Sequence, residues 1–243
     1  MTFTKTVLDN GLRIITSPQK DNPAVTVLVL VETGSEYESK DKNGISHFLE
    51  HMCFKGTKNR PKAIDISTEL DSIGAEYNAF TGHQYTGYYA KVDKRHFDKA
   101  LDVVSDIYLN QIFDPAEIEK ERGPVIEEIN LGEDTPTTDI YRVFPELLYG
   151  DQPAGWNVLG PKEVIRKIGR DDFINYRKDH YVASATTVAV AGAIDEKETV
   201  EKIKKAFADI STAEKKKKPA IIESQSKPGL LVKNKKSDQS HIM

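Results

Sequence analysis

Gly44-Ile45-Ser46-His47-Phe48-Leu49-Glu50-His51-Met52-Cys53-Phe54 is the stretch around which the chain is arranged. In a helix advancing about 100° per residue with His47 at zero, His51 falls at roughly 40° and Glu50 at roughly −60°. Three side chains able to bind a metal or move a proton then share one face. Ile45, Phe48, Leu49 and Met52 take the opposite face with the apolar i, i+3, i+4, i+7 spacing. The pattern predicts an amphipathic helix that packs on a core and presents chemistry on its other side.

The histidine pair has a mechanical reason. Side chains at i and i+4 stand about 5–6 Å apart, close enough for two imidazoles to reach one ion. Zn²⁺ takes histidine nitrogen at about 2.0–2.1 Å. Glu50 precedes the second histidine and lies beside the pair, a position that suits a base acting on water at the metal. The order H-x-x-E-H is the inverted zincin motif. Cys53, just after it, reads as a small buried hydrophobe and not as a ligand or nucleophile.

The 243 residues allow one large domain, or one domain with an extension. A hydrophobic content of 38% with 30% charged residues fits a globular chain. The net charge of −4 gives no electrostatic case for nucleic acid. No apolar run approaches the roughly 20 residues of a membrane span, and Met1-Thr2-Phe3-Thr4-Lys5 does not begin a long apolar signal core. Cys53 is the single cysteine, which excludes an intrachain disulfide and points to a cytoplasmic location.

Outward from the motif, the chain reads as mixed α and β. Thr4–Val7 and Leu12–Thr16 flank Asp9-Asn10-Gly11-Leu12, a hairpin turn signal. Ala24–Val31 is nearly all apolar and predicts a central buried strand. Asn43 is the expected cap of the motif helix. Pro61–Ile73 predicts a second helix with proline in its first turn. Ala75–Thr81 and Tyr85–Val92 predict antiparallel strands joined through Gly82-His83-Gln84, with His83 at the surface. Asp93 is the expected cap of a helix through Leu109. Further helices are expected from Pro115 toward Leu131 and over Thr137–Leu148, Lys162–Ile168, Asp171–Tyr181 and Glu196–Phe207. Thr187–Ala191 predicts a short strand. Lys215-Lys216-Lys217-Lys218-Pro219 reads as a solvated linker.

Two histidines need a third protein ligand to make a zinc site. The segment Glu117 to Arg122 leads through Gly123-Pro124 into Val125-Ile126-Glu127-Glu128-Ile129. Glu121 and Glu128 are seven apart, so an unbroken helix places them on one face two turns apart, with Glu127 turned away. Pro124 sits between them, where proline removes a hydrogen bond and kinks or restarts a helix.

These residues together resemble the pitrilysin and insulin-degrading enzyme family, which includes the mitochondrial processing peptidases. Leu8-Asp9-Asn10-Gly11-Leu12 resembles the family's opening strand pair, and Gly34 to Glu38 the turn before its motif. His47 to Thr57 resembles the zinc helix and its exit, Asn78-Ala79-Phe80-Thr81 the strand that meets substrate, and Glu121-Arg122 through Glu127-Glu128-Ile129 the second glutamate helix. The resemblance implies an α+β fold with a mixed, largely antiparallel sheet covered by helices. It implies that His47, His51 and Glu128 bind one Zn²⁺, that Glu50 is the general base, and that Glu121 supports the site from behind its ligands. Asn78 and Ala79 would pair with an extended peptide, and Phe54 would line a pocket near the scissile bond.

The function so implied is a zinc-dependent endopeptidase acting on extended peptides or unfolded segments. Family members close two similar halves around the substrate. Residues 1–210 are similar to the zinc-bearing half, and 211–243 to the linker and opening strand of a second half. The expected partner is therefore a second half-domain, or another copy or subunit of the same family. The alternative is a non-catalytic core or interaction subunit of the same fold. Such subunits typically degrade the motif, which is intact here.

Overall fold

The computed structural model describes residues 2–19, 21–235 and 239–243. Six strands form one sheet in the order β1-β2-β6-β3-β5-β4. They are β1 (Thr4–Val7), β2 (Arg13–Pro18), β3 (Ala24–Val31), β4 (Glu76–Thr81), β5 (Thr86–Asp93) and β6 (Thr186–Gly192). All pairings are antiparallel except β2 with β6, which run parallel from Arg13↔Thr187 to Pro18↔Gly192. The first turn is the expected one. Gly11 holds φ at +88°, a left-handed conformation that glycine adopts freely, and its N–H donates to the Leu8 carbonyl at 2.8 Å.

β3 lies between β6 and β5. Val25, Val27, Val29 and Val31 have no exposure at all, whereas the alternate residues, including Leu28 and Leu30, are half-buried. The continuous apolar run suggests a strand covered on both faces. The fold buries one face completely and the other only in part.

The helices are α1 (Ile45–Met52), α2 (Ala63–Ser72), α3 (Phe97–Leu109), α4 (Pro115–Asp134), α5 (Pro136–Tyr149), α6 (Lys162–Ile165), α7 (Arg170–His180) and α8 (Glu196–Ala206). α3 lies against β3 and β5, α8 against β2, and α1 against β4, α4 and α7. Asp93 starts the run into α3, its carboxylate accepting the Arg95 N–H at 2.9 Å. The helix expected over Lys162–Ile168 is short, because α6 stops at Ile165 and the chain turns toward Gly169.

After Ala206 no described residue lies in a helix or strand. The expected opening strand at the end of the chain falls partly on residues 236–238, which lie outside the described residues. The lysine run lies outside any helix or strand, with Lys216 and Lys217 exposed, but its ammonium groups are not all unpartnered. Lys215 pairs with Glu32 at 2.7 Å and Lys216 with Asp179 at 2.6 Å, and Lys218 pairs with Glu36. These acids lie far from the run in sequence, so composition could not reveal them. No helix among the described residues is long and apolar enough to cross a membrane.

Candidate metal centre

The motif helix α1 has eight residues, too few to be stable without external support. Ile45, Phe48, Leu49 and Met52 are at most 1% exposed, and the Phe48 ring meets Phe173 edge-on at 5.0 Å. The cap is not Asn43. The residue at the cap is Gly44, left-handed at φ 96°, with no side chain to offer. The carboxylate of Glu38 takes its place: Oε2 accepts the Gly44 N–H at 2.7 Å and Oε1 the Ser46 N–H at 2.8 Å. Asn43 stands one residue too early to cap, so its amide donates instead to Glu38 at 2.8 Å and to the Asn157 carbonyl at 3.0 Å.

α4 begins at Asp114, whose carboxylate accepts the Ala116 N–H at 2.8 Å, and it runs without a break past Pro124. Arg122 helps to fix its phase. The guanidinium lies 5.7 Å from the centre of the Phe48 ring and also donates to the Ile165 and Ile168 carbonyls. With the helix continuous, Glu121 and Glu128 both face α1. Glu127 does not, and its carboxylate accepts from Asn130 at 3.2 Å.

The structure brings His47, His51 and Glu128 together, the one such trio of potential ligands among the described residues. The two Nε2 atoms stand 3.2 Å apart. Glu128 Oε2 lies 3.3 Å from that of His47 and 3.5 Å from that of His51. Atoms about 2.1 Å from one tetrahedral centre are separated by about 3.4 Å. The three donors therefore fit zinc in kind, in number and in spacing.

Behind them, His51 Nδ1 meets Glu121 Oε1 at 2.9 Å, and Lys55 holds the other oxygen of Glu121 at 2.6 Å. Such a contact fixes which imidazole nitrogen is free for a metal. His47 Nδ1, in contrast, is buried without a hydrogen-bond partner. Burial pulls the His51 imidazolium toward lower pKa, but hydrogen bonds to Glu121 and Glu128 outweigh it and lift it to about 9. Hydrogen bonds from His47 and His51 hold Glu128 well below the usual carboxylate range. Burial raises Glu121, but its bonds to His51 and Lys55 bring it below its ordinary value.

Glu50 lies on the same helix face, half-buried, and its Oε2 accepts the Thr81 hydroxyl at 2.6 Å. Thr81 ends β4, the edge strand, which has β5 as its one neighbour. Asn78 and Ala79 are on that strand, and the Ala79 N–H donates to the Asn78 side chain at 2.9 Å. Phe54, Tyr77, Ile66 and Asn78 line a cavity of about 500 Å³ next to α1. Sequence reasoning missed Thr81, Lys55 and Glu38 as parts of the site. All three fall within motif segments quoted above, but only the folded chain shows what they touch. Cys53 is buried, its thiol pushed up to about 12 by that burial, so a reactive thiolate is disfavoured. His83 stands apart from the trio, its Nδ1 2.9 Å from Ser35 Oγ.

The family model described as Insulinase (Peptidase family M16) matches residues 13–162 of this chain. The chain belongs to the insulinase family. The model for the family's inactive domain, Peptidase M16 inactive domain, matches residues 167–243. Within the family, an uncharacterized zinc protease of Rickettsia bellii is 38% identical over 213 residues, covering 88% of this chain and 52% of that protein. The probable mitochondrial-processing peptidase subunit beta of Arabidopsis thaliana is 38% identical over 207 residues, or 85% of this chain and 39% of that one. The crystal structure of a protease from Helicobacter pylori superimposes with a TM-score of 0.84 at 26% identity, over 91% of this chain and 54% of that one. The chain thus spans about half the length of the first of these curated relatives. The mixed α+β fold with its largely antiparallel sheet is that of a half of an M16 protease.

Proposed function

We propose that this chain is the zinc-bearing part of an endopeptidase that cleaves extended peptides or unfolded segments. The observation that carries the reading is the triangle of three donor atoms, 3.2–3.5 Å on a side, with Glu50 on the same helix as two of them. His47, His51 and Glu128 would hold one Zn²⁺ per chain, with Glu121 keeping His51 in the required tautomer. Zinc, when bound, polarises the peptide carbonyl and makes water a stronger acid. Glu50 takes the proton from the attacking water and delivers it to the leaving amine. Thr81 holds one oxygen of Glu50. The unpaired side of β4, around Asn78 and Ala79, accepts the peptide as an added strand. Phe54 and its neighbours receive a side chain close to the scissile bond.

A second half-domain, or another copy or subunit of the family, would complete the site. The exposure of Glu128, 46% of its side chain, supports an open face that such a partner would cover. The test has two arms. Metal analysis of the purified chain should give about one zinc, and the His47→Ala, His51→Ala double variant should lose it. Full occupancy in the double variant would sink the metal assignment. A quenched-peptide assay should show little turnover by residues 1–243 alone and a large rise with a separately expressed second half. The match of residues 167–243 to the inactive domain supports a second reading, a non-catalytic interaction subunit. Zinc uptake with no turnover in the presence of the second half would favour it.

A further inference from the structure

The carboxylate of Glu38 is 3% exposed and sits at the start of α1. Three N–H groups donate to it, and the Ser46 hydroxyl also favours its charge. Gly44 and Asn43 reach Oε2 at 2.7 and 2.8 Å, and Ser46 reaches Oε1 at 2.8 Å. Three N–H donors on one carboxylate favour its ionised form, which accepts all of them. A helix N-terminus carries roughly half a positive charge, and its field falls off within the first turn. His47 is the third residue of α1 and therefore lies inside that field. A dication held there would meet a positive helix end.

We propose that Glu38 is a positioning residue of the metal centre, whose buried negative charge cancels the positive end of α1 so that His47 can hold a dication in the first turn. The inference rests on the metal-binding reading above. A cap serving only helix stability needs no buried charge, since a serine or asparagine hydroxyl or amide suffices. Burial raises the pKa of Glu38 despite its hydrogen bonds. A carboxyl raised on folding favours the fold when protonated and loses that contribution as pH rises through its folded value. Burial works against the charge, while the hydrogen bonds from Ser46, Asn43 and Gly44 favour it.

The experiment compares zinc affinity, by chelator competition on residues 1–243, with the melting temperature of the metal-free protein. Glu38→Gln keeps the shape and removes the charge. Glu38→Asp keeps the charge and shortens the reach. The expected result is about a tenfold or greater loss of zinc affinity for Glu38→Gln and a smaller loss for Glu38→Asp, even where the aspartate variant melts lower. Cobalt spectra unchanged in both variants would show the ligand set intact. Zinc affinities that simply follow the melting temperatures would reduce Glu38 to a structural cap. Wild-type affinity in Glu38→Gln would overturn the inference alone, whereas a wild-type chain that takes up no zinc overturns the metal reading and this inference with it.

Discussion

Zinc uptake by this chain should release a proton, and the structure says from where. In the metal-free protein, hydrogen bonds to Glu121 and Glu128 overcome burial and hold His51 protonated up to about pH 9. A metal needs the neutral imidazole. At pH 7 the ion therefore competes with a proton held about two pH units above ambient. Apparent affinity should rise about tenfold per pH unit between pH 7 and 9, and uptake at pH 7 should release about one proton. Chelator competition at pH 7 and 8 reads the first quantity, and calorimetry in two buffers of different ionisation heat reads the second. Glu121→Gln removes the anion 2.9 Å from His51 Nδ1. It should lessen the proton release, and once the proton no longer competes it should weaken zinc binding about 10–100-fold. The gap between wild type and variant then widens with pH. Without metal the sign reverses. A histidine raised on folding stabilises fully below its unfolded value near 6.5 and loses that contribution as pH rises through about 9. The wild-type apo protein should therefore lose more stability over that window than Glu121→Gln. A flat affinity between pH 7 and 8, with no proton released, would refute the reasoning.

Glu128→Gln should weaken zinc binding far more than Glu127→Gln, measured by metal analysis after dialysis; equal effects would mean that the phase of α4 past Pro124 is wrong. Glu50→Gln should keep zinc and, assayed with the second half, lose turnover by about 10²–10⁴-fold, the usual contribution of a general base; a fall of less than tenfold would remove Glu50 from that role. Burial depresses the buried His180 imidazole to about 4. Stability should therefore fall by roughly 3 kcal/mol as pH drops from 6.5 toward 4. Urea unfolding should show a weaker pH dependence in His180→Gln, and an unchanged one would refute the attribution.

Local pattern made most of the elements readable. The apolar stripe of α1, the Asn10-Gly11 turn and the valines of β3 each carry their periodicity within a few residues. What could not be read was set by partners distant in sequence. The choice of Glu38 over Asn43 as cap depends on a turn that brings residue 38 back over the helix start. The parallel pairing of β2 with β6 joins residues more than 170 positions apart. The proposed third ligand, Glu128, lay between these cases. Seven-residue spacing pairs Glu121 with Glu128 only if the helix ignores Pro124, and the sequence offers no local reason why it should. The fold supplies one in Arg122, clamped against Phe48 and the Ile165 and Ile168 carbonyls, which holds the helix to its neighbours on the N-terminal side of the proline.

The same supports explain why a two-turn helix can carry a rigid site. Glu38 fixes its start, and the core side chains fix its inner face. Its exit is tied by Asp106, 2% exposed, which accepts from Thr57 at 2.5 Å, Asn59 at 2.7 Å and Arg60 at 2.8 Å. Glu50 is joined through Thr81 to the edge strand, so a hydrogen bond ties the expected base to the expected substrate strand. Glu128 differs, reaching the histidines from α4 with almost half its side chain in solvent. The site is therefore firm on the side of α1 and β4 and open on the far side of Glu128. Holding a peptide in a reactive geometry can supply several kcal/mol of a barrier, and on the proposed function one edge strand would hold it from one side only. On the proposed function, the further restraint would come from a surface facing α4, which is where a second half or partner subunit should be sought.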